Sequence, residues 1–427
     1  MNRRNFLKTT AAAGFGVWVS SRALGQEEKS PAEKLNVAVV GVQGQGKSNL
    51  KGVKHQNIVA LCDVDEKNIA GVVKEFPDLE KANRYADWRK MLEQKDIDAV
   101  VISIPDHVHA HATIASLQMG KHVYCEKPLT HSVYECRKVM ETARRMKKAT
   151  QMGTQIHAVD NYRRVVELLQ SGAIGTVKRI HVWVEGGFAG GERPKDTPPV
   201  PPNINWDLWI GPAPYRPYHP KYMPFAWRGW WDFGGGKLAD MACHHMDLSH
   251  WAFNLRYPET IESEGPPVHA ESCPIWQIVH FKYAADGDRP PIHLTWYHGD
   301  KKPAEFKEKN LPKWDNGSLF VGDKGMLLAD YGNHKLWPEA DFKDFKRPPQ
   351  TIAKSIGHHN EWIKGCKEGT PTTCNFEYSG ALAETVLLGN VAYKAGKKIS
   401  WDPMKGTTGD SEADQFLKRE YRKGWEL

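Results

Sequence analysis

Leu35-Asn-Val-Ala-Val-Val-Gly-Val-Gln-Gly-Gln-Gly46 decides the fold. Residues 35–40 are a nearly continuous apolar run rich in valine, the pattern of a parallel strand buried on both faces, where a half-exposed strand would alternate. The run stops at a glycine turn. A dinucleotide turn needs glycine where the backbone meets the pyrophosphate, and the helix that follows supplies free N–H groups and the positive end of its dipole. In the G-x-G-x-x-G frame Gly41 and Gly46 match, while the middle position is Gln43 with Gly44 beside it. Gly41, Gln43, Gly44 and Gly46 are therefore the candidate pyrophosphate contacts, on a fingerprint that is weak without its context.

That context follows at the spacing of a doubly wound sheet. A second run, 58–62, ends in Asp63, twenty-two residues after Gly41, where an acid meets the ribose hydroxyls of the adenosine half. The acids of Asp63-Val64-Asp65-Glu66 would repel a 2′-phosphate, which favours NAD, with NADP the alternative. A third strand over 99–104, after a helical stretch at 88–94, runs into Pro105-Asp106-His107-Val108-His109. A fourth, 122–125, meets Glu126-Lys127-Pro128-Leu129-Thr130. Both polar turns lie at carboxyl ends of strands, where such sheets bind ligands. Pro105, His109 and Glu126 are expected to border the dinucleotide.

A second stretch carries the chemistry: FGGGKLADMACHHMDLSHW, residues 233–251. Read as one helix, Asp240, His244, Asp247 and Trp251 fall at i, i+4, i+7 and i+11 and share a face, with Leu238, Met241, Leu248 and Ala252 supplying a packed one. A carboxylate one turn from an imidazole suits acid/base chemistry, because it fixes the ring's tautomer and stabilises its charged form. Taken alone, the spacing fits a buried, satisfied core histidine better. A metal site from Cys243, His244, His245, Asp247 and His250 is disfavoured, since neighbouring helical residues point about 100° apart and cannot converge on one ion; no metal is expected.

The remaining features frame these two stretches. Residues 1–25 place Arg3-Arg4 before a short apolar run and a small-residue cleavage site, resembling a twin-arginine export signal, so a periplasmic mature protein is expected. The run is too short for the roughly 20 residues of a membrane span. Removing Arg3, Arg4, Lys8 and Arg22 lowers the formal net charge from +7 to +3, which is no nucleic-acid footprint. The seven cysteines form no CxxC pair, and Cys366 with Cys374 is the one pair close in sequence. A polar linker, 26–33, precedes a dinucleotide-binding domain, 34–153, and a second domain, 154–427. The second domain opens on helical residues 165–169 and a strand over 178–185. It continues through an irregular, proline- and aromatic-rich stretch at 186–229, strands at 276–281 and 292–297, a closing helix at 380–393 and a basic tail. Among its tryptophans, Trp206, Trp209, Trp227, Trp230 and Trp231 offer flat faces suited to pyranose rings, although core filling explains each singly.

Strand-EKP after the glycine turn, followed later by D-x-x-x-H-x-x-D, resembles the Gfo/Idh/MocA family of NAD(P)-dependent oxidoreductases, which includes glucose-fructose oxidoreductase and inositol dehydrogenases. The likeness runs through VISIPDHVHA, YCEKPLT, SGAIGTVKRIHVW, NWDLWIGPAPYRPYHP, WRGWWDFGGG and KREYRKGWEL, and the later motifs resemble the exported bacterial branch. The resemblance implies an α/β protein with an N-terminal Rossmann domain. Its C-terminal α/β domain would carry an open, largely antiparallel sheet whose exposed face supports a dimer or tetramer. It places the family's catalytic lysine on Lys127 and its Asp/His pair on Asp240 and His244. The departures are Gln43 in the turn and Ala242 before the Cys-His. His244 is then the expected base, Asp240 its orienter and Lys127 the donor to the reacting hydroxyl, with His245, Asp247 and Trp230 at the substrate. Three functions remain open: a sugar or polyol dehydrogenase, a redox-neutral NAD-dependent glycosidase or lyase, and a sugar-binding protein without turnover. Export would also separate the protein from the cytoplasmic nicotinamide pool, so a tightly held cofactor is expected.

Overall fold

The computed structural model describes residues 33–427. The export signal expected over 1–25, and the linker up to residue 32, lie outside the described residues. In chain order the first domain comprises β1 (Asn36–Val40), α1 (Gln45–Val53), β2 (Asn57–Cys62), α2 (Glu66–Glu75), β3 (Asn83–Tyr85) and α3 (Trp88–Met91). It continues with β4 (Ala99–Ile102), α4 (Asp106–Gln118), β5 (His122–Cys125), α5 (Val133–Met146) and β6 (Thr150–Met152). The six strands are all parallel, in the order β3-β2-β1-β4-β5-β6. Val37, Val39 and Val40 of β1 are buried, as a central strand covered on both faces requires. The strand order reverses between β1 and β4, and a crevice opens there at the carboxyl ends. Helix α5 starts on a reciprocal cap: Ser132 Oγ accepts from the Glu135 N–H and the Glu135 carboxylate accepts from the Ser132 N–H at 3.1 Å.

The second domain continues with α6 (Asp160–Gln170), β7 (Val177–Glu185), α7 (Trp206–Ile210), α8 (Gly236–His245), α9 (Asp247–Phe253), β8 (Thr260–Glu264), β9 (Gln277–Tyr283) and β10 (Ile292–Gly299). It ends with α10 (Glu305–Glu308), β11 (Asn316–Gly322), β12 (Met326–Ala329), β13 (His334–Trp337), α11 (His358–Glu368), α12 (Phe376–Ala395) and β14 (Ile399–Ser400), before a short terminal helix. Its eight strands run β13-β12-β11-β7-β10-β9-β8-β14, antiparallel throughout except for the β7–β10 pair. Alternation sets the two faces: Val279 and Phe281 of β9 and Leu294 and Trp296 of β10 are buried, while His280 and Lys282 point the other way. The architecture is thus α/β, a parallel Rossmann sheet followed by a largely antiparallel one.

Helix α12 joins the two halves. It is apolar on nearly every side, as a helix surrounded by protein should be, and it packs against α5 of the first domain and α8 of the second. Glycine permits both approaches: a Cβ on Gly380 would lie 2.4 Å from the Met140 side chain, and one on Gly389 would lie 2.8 Å from Leu238 Cδ2.

Three sequence expectations are corrected. The helix read over 233–251 is two helices, interrupted at Met246, so its polar residues do not form one stripe. The helical stretch at 88–94 is a single turn, Trp88–Met91, capped by Asp87. The stretch 186–229 is irregular as expected apart from α7 and a 3₁₀ turn at Ala226–Gly229. All seven cysteines are free thiols, Cys366 and Cys374 included, and no described helix is long and apolar enough to cross a membrane.

Gly389→Val should lower unfolding free energy by about 1–3 kcal/mol through overpacking against Leu238, Val279 and Phe281. Gly71→Ala, at an exposed position of α2 with only the Gln43 amide near its added carbon, should instead raise it by roughly 0.5–1 kcal/mol. Urea unfolding of both variants checks the pair.

Candidate active site

The crevice at the strand switch continues under the second domain as one cleft of about 890 Å³. At one end lies the glycine turn. A Cβ on Gly41 would sit 2.2 Å from Ser103 O and one on Gly46 would sit 1.9 Å from Gly41 O, so neither position accepts a side chain. Gly44, at φ 55°, has nothing within 4 Å of its would-be Cβ and faces open space. No side chain caps the first turn of α1 and no acid stands in it. Close backbone packing at Gly41 and Gly46, open space at Gly44 and an uncapped helix start fit a pyrophosphate. Gln43 also lines the cleft.

Asp63 braces this turn. One carboxylate oxygen accepts from the Val42 N–H at 3.0 Å, the other from the Asp65 N–H at 3.0 Å and Asn68 Nδ2 at 3.1 Å. Burial pushes its carboxyl up from the usual value, against those hydrogen bonds. Asp63 and Asp65 put two acids at the adenosine end.

The other end is built where β5 meets α8. Lys127 Nζ donates to Asp240 Oδ1 at 2.8 Å and to the Asp240 carbonyl at 2.7 Å, and Arg228 Nε donates to the same Oδ1 at 3.0 Å. Burial alone would raise the Asp240 pKa, but Lys127 and Arg228 more than offset it and hold the carboxyl at about 2. Burial works against the Lys127 ammonium, yet Asp240 above all, then Glu126 and Asp106, raises its pKa. His244 lines the cleft beside them. Burial, then the Lys127 charge, takes its pKa well below the ordinary histidine value, and its Nδ1 has no hydrogen-bond partner. The site thus pairs a charged lysine with a neutral imidazole.

Other groups hold these in place. Glu126, buried, accepts from Asn49 Nδ2 at 2.8 Å and Gln155 Nε2 at 2.7 Å. The His109 ring lies between the Ile104 and Pro128 carbonyls, 2.7 Å from each, and ties the two polar turns together. Pro105 begins α4 at the cleft wall.

The expectation that Asp240 orients His244 is corrected: the i, i+4 spacing holds, but the carboxylate turns to the two cations and makes no hydrogen bond to the ring. Three residues expected at the substrate do not line the cleft. His245 stacks on Tyr331 and its Nε2 lies 2.7 Å from that hydroxyl. Asp247, beyond the break at Met246, is fully buried between His157 and Tyr378. Trp230 is enclosed in an aromatic cluster, its Nε1 donating to Lys221 O. Trp209, Tyr218, Phe225 and Trp227 line the cleft in their stead. Among the described residues the one group spaced for a metal is His157, Asp247 and Cys374, and its carboxylate already serves His157 and Tyr378.

Two residues escaped the sequence reading. Arg228, in WRGWW, carries its guanidinium over the rings of Trp227 and Phe225, at 4.2 and 4.4 Å. A lone charge inside an aromatic motif was its signal. Asp106 follows Pro105 at the start of α4, is nearly inaccessible, and faces Asp240, Arg228 and Lys127. Burial first, then the Asp240 charge, pushes its carboxyl well above the usual range.

A dinucleotide turn at one end of a cleft and a lysine beside a neutral histidine at the other fit an NAD-binding oxidoreductase. Comparison with known proteins agrees. Residues 35–154 match the family model "Oxidoreductase family, NAD-binding Rossmann fold" and residues 158–309 the model "Oxidoreductase family, C-terminal alpha/beta domain". The chain belongs to the Gfo/Idh/MocA oxidoreductase family. It is 29% identical over 202 residues to a glycosyl hydrolase family 109 protein of Shewanella pealeana, spanning 41% of this chain and 44% of that one. It is 26% identical over 152 residues to inositol 2-dehydrogenase of Salmonella typhimurium, spanning 34% and 45%. The chain therefore matches less than half the length of either relative. The WlbA dehydrogenase of Bordetella pertussis, solved with NADH and UDP-GlcNAcA, superposes with a TM-score of 0.62 at 15% identity, over 87% of this chain and 99% of that one.

Asp240 makes stability depend on pH. Its folded pKa of about 2 lies below the unfolded value of about 4, so its contribution is complete above that value and fades as pH falls toward 2. Asp240→Asn should cost at least about 2–3 kcal/mol near neutrality, a gap that narrows below about pH 4. Denaturant unfolding of both proteins across that range checks it.

Proposed function

We propose that the protein oxidises or reduces a CH–OH group of a sugar, polyol or glycoside, with NAD as its cofactor. The observation that carries this reading is the Lys127–Asp240–Arg228 cluster beside a neutral His244 in the lining of the same cleft. When bound, NAD supplies the hydride acceptor. A hydroxyl-bearing carbon gives up hydride only as its oxygen loses a proton, so the site needs a base and a donor for the developing alkoxide. His244, neutral and lining the cleft, takes the proton. Lys127, kept charged by Asp240, donates to the oxygen as its charge develops. Arg228 shares the Asp240 charge and so keeps the carboxylate ionised. Phe225, exposed at the cleft, gives the wall an aromatic surface suited to a pyranose ring.

One observation favours a second reading, redox-neutral cleavage of a glycoside. Asp106 lines the cleft near Lys127 and Asp240 with its pKa raised, as an acid that protonates a leaving group would require. In that reaction bound NAD would supply transient oxidation of a ring hydroxyl and later return of the same hydride; between these a base takes the proton of the acidified neighbouring C–H, Asp106 protonates the departing oxygen, and water adds to the double bond left behind. The likeness to a family 109 hydrolase supports it. The two acids at the adenosine end support NAD over NADP. The twin-arginine-like leader supports action in the periplasm, and the open sheet supports a homodimer or tetramer.

Incubating the purified enzyme with free sugars, polyols and aryl glycosides, with and without added NAD, separates the readings. Net NADH formation identifies a dehydrogenase, aglycone release without net NADH identifies the cleavage reaction, and no conversion of any substrate class contradicts both. Lys127→Met and His244→Ala should each lower turnover roughly a hundredfold or more while NAD is still bound; near wild-type rates would remove that residue from the mechanism. Asp63→Asn keeps an acceptor for the Val42 N–H and removes the charge, so paired titrations should show its affinity for NADP rising relative to NAD.

A further inference from the structure

The second domain supplies more than the substrate side of the cleft. Residues 203–205 cross to the acidic turn after β2: Ile204 forms an antiparallel bridge with Asp65, the Asn205 N–H donates to Val64 O at 2.8 Å, and the Glu66 N–H donates to Asn203 O at 3.1 Å. Asn203 Nδ2 also donates to the Asp65 carboxylate at 2.7 Å. The segment continues into α7, and Ile204, Leu208 and Trp209 line the same cleft as Gly41, Gly44 and Asp63. Its far end is fixed at the first domain by His107, whose Nε2 lies 2.9 Å from Trp209 O.

The C-terminal tail lies behind this segment and fastens it. The Arg422 N–H donates to Pro212 O at 3.0 Å, its Nε to Gly211 O at 3.0 Å and its Nη2 to Asp207 O at 2.9 Å, and Nη1 pairs with the Asp207 carboxylate. Three residues on, the Trp425 carbonyl faces His111 Nε2 at 2.7 Å, and its ring lies under the Arg89 guanidinium at 4.4 Å and against Trp88 at 6.2 Å. Trp88 itself lines the cleft. Tail, segment and acidic turn therefore form a closed loop of contacts around the groove in which the adenosine half would lie.

We propose that residues 203–209 are the outer wall of the dinucleotide site, latched by Arg422 and Trp425, so that a bound nicotinamide dinucleotide is enclosed and does not exchange between turnovers. This rests on the NAD-dependent reading above. Arg422 acts as a positioning residue, since it touches the wall and not the cleft. Enclosure slows release, and differences in affinity between related complexes arise mostly in the off-rate.

The test uses the full chain, purified without added nucleotide. NAD and NADH released on denaturation are counted per chain, and exchange is followed by adding isotopically labelled NAD and sampling the protein-bound fraction over time. The wild type should retain nucleotide through gel filtration and exchange slowly. Arg422→Ala should exchange at least about tenfold faster, which corresponds to about 1.4 kcal/mol. Asn203→Ala loosens the opposite end of the wall and should do the same, so the proposal stays testable if one variant fails to fold, as judged by near-ultraviolet circular dichroism. Wild-type exchange as fast as that of both variants, or folded variants that exchange as slowly as the wild type, overturns the latch while leaving the NAD-dependent reading standing. Failure of the wild type to bind added NAD overturns the latch together with that reading.

Discussion

The site depends on one carboxylate held between two cations. Asp240 projects from α8 of the second domain and receives Lys127 from the end of β5 in the first and Arg228 from the turn before α8. Taking three charges out of water is costly, and such a cluster persists only where each member has its partner. Removing the carboxylate would leave two half-buried cations facing each other. The same contact sets the protonation of its surroundings: it keeps Lys127 an ammonium, and Lys127 in turn helps to keep His244 neutral. Chemistry and domain docking thus rest on one set of hydrogen bonds, supported where Gly380 and Gly389 let α12 pack closely against both halves.

Much of this was legible in the chain. The apolar run before Gly41, the acid after β2 and the polar turns after β4 and β5 specify a doubly wound sheet, because central parallel strands must be apolar on both faces and ligands bind where they end. The cleft gathers Gly41, Gln43, Gly44, Asp63, Pro105, His109, Glu126, Lys127, Asp240 and His244 from positions as far apart as 41 and 244. Gly46 packs on Gly41 at the same turn. The closing helix α12 was visible as well, although it starts four residues earlier than the sequence suggested.

The failures have a common cause. Helical spacing states which residues share a face, not what that face meets. Asp240 and His244 do share one, but a carboxylate binds the nearest cations, and those come from residues 127 and 228, which no local period connects to it. The break at Met246 then turns Asp247 and Trp251 into a separate buried cluster with His157. Trp230 and Trp227, three residues apart, pack in the same aromatic core, but only Trp227 also reaches the cleft. Composition marked the aromatic stretch as important but could not assign its faces. The wall at 203–209 was equally hidden, since its partners lie at 63–66 and in the tail.

The account's central claim is the pairing of a charged Lys127 with a neutral His244. It is tested most directly by the nitrogen-15 chemical shifts of His244 in histidine-labelled protein, assigned by comparison with His244→Ala and followed from about pH 5 to about pH 8, where an ordinary histidine titrates. The account predicts the two distinct ring-nitrogen shifts of a neutral imidazole throughout, unchanged with pH. A titration with its midpoint inside that range, giving the matched shifts of an imidazolium at the acid end, would contradict it.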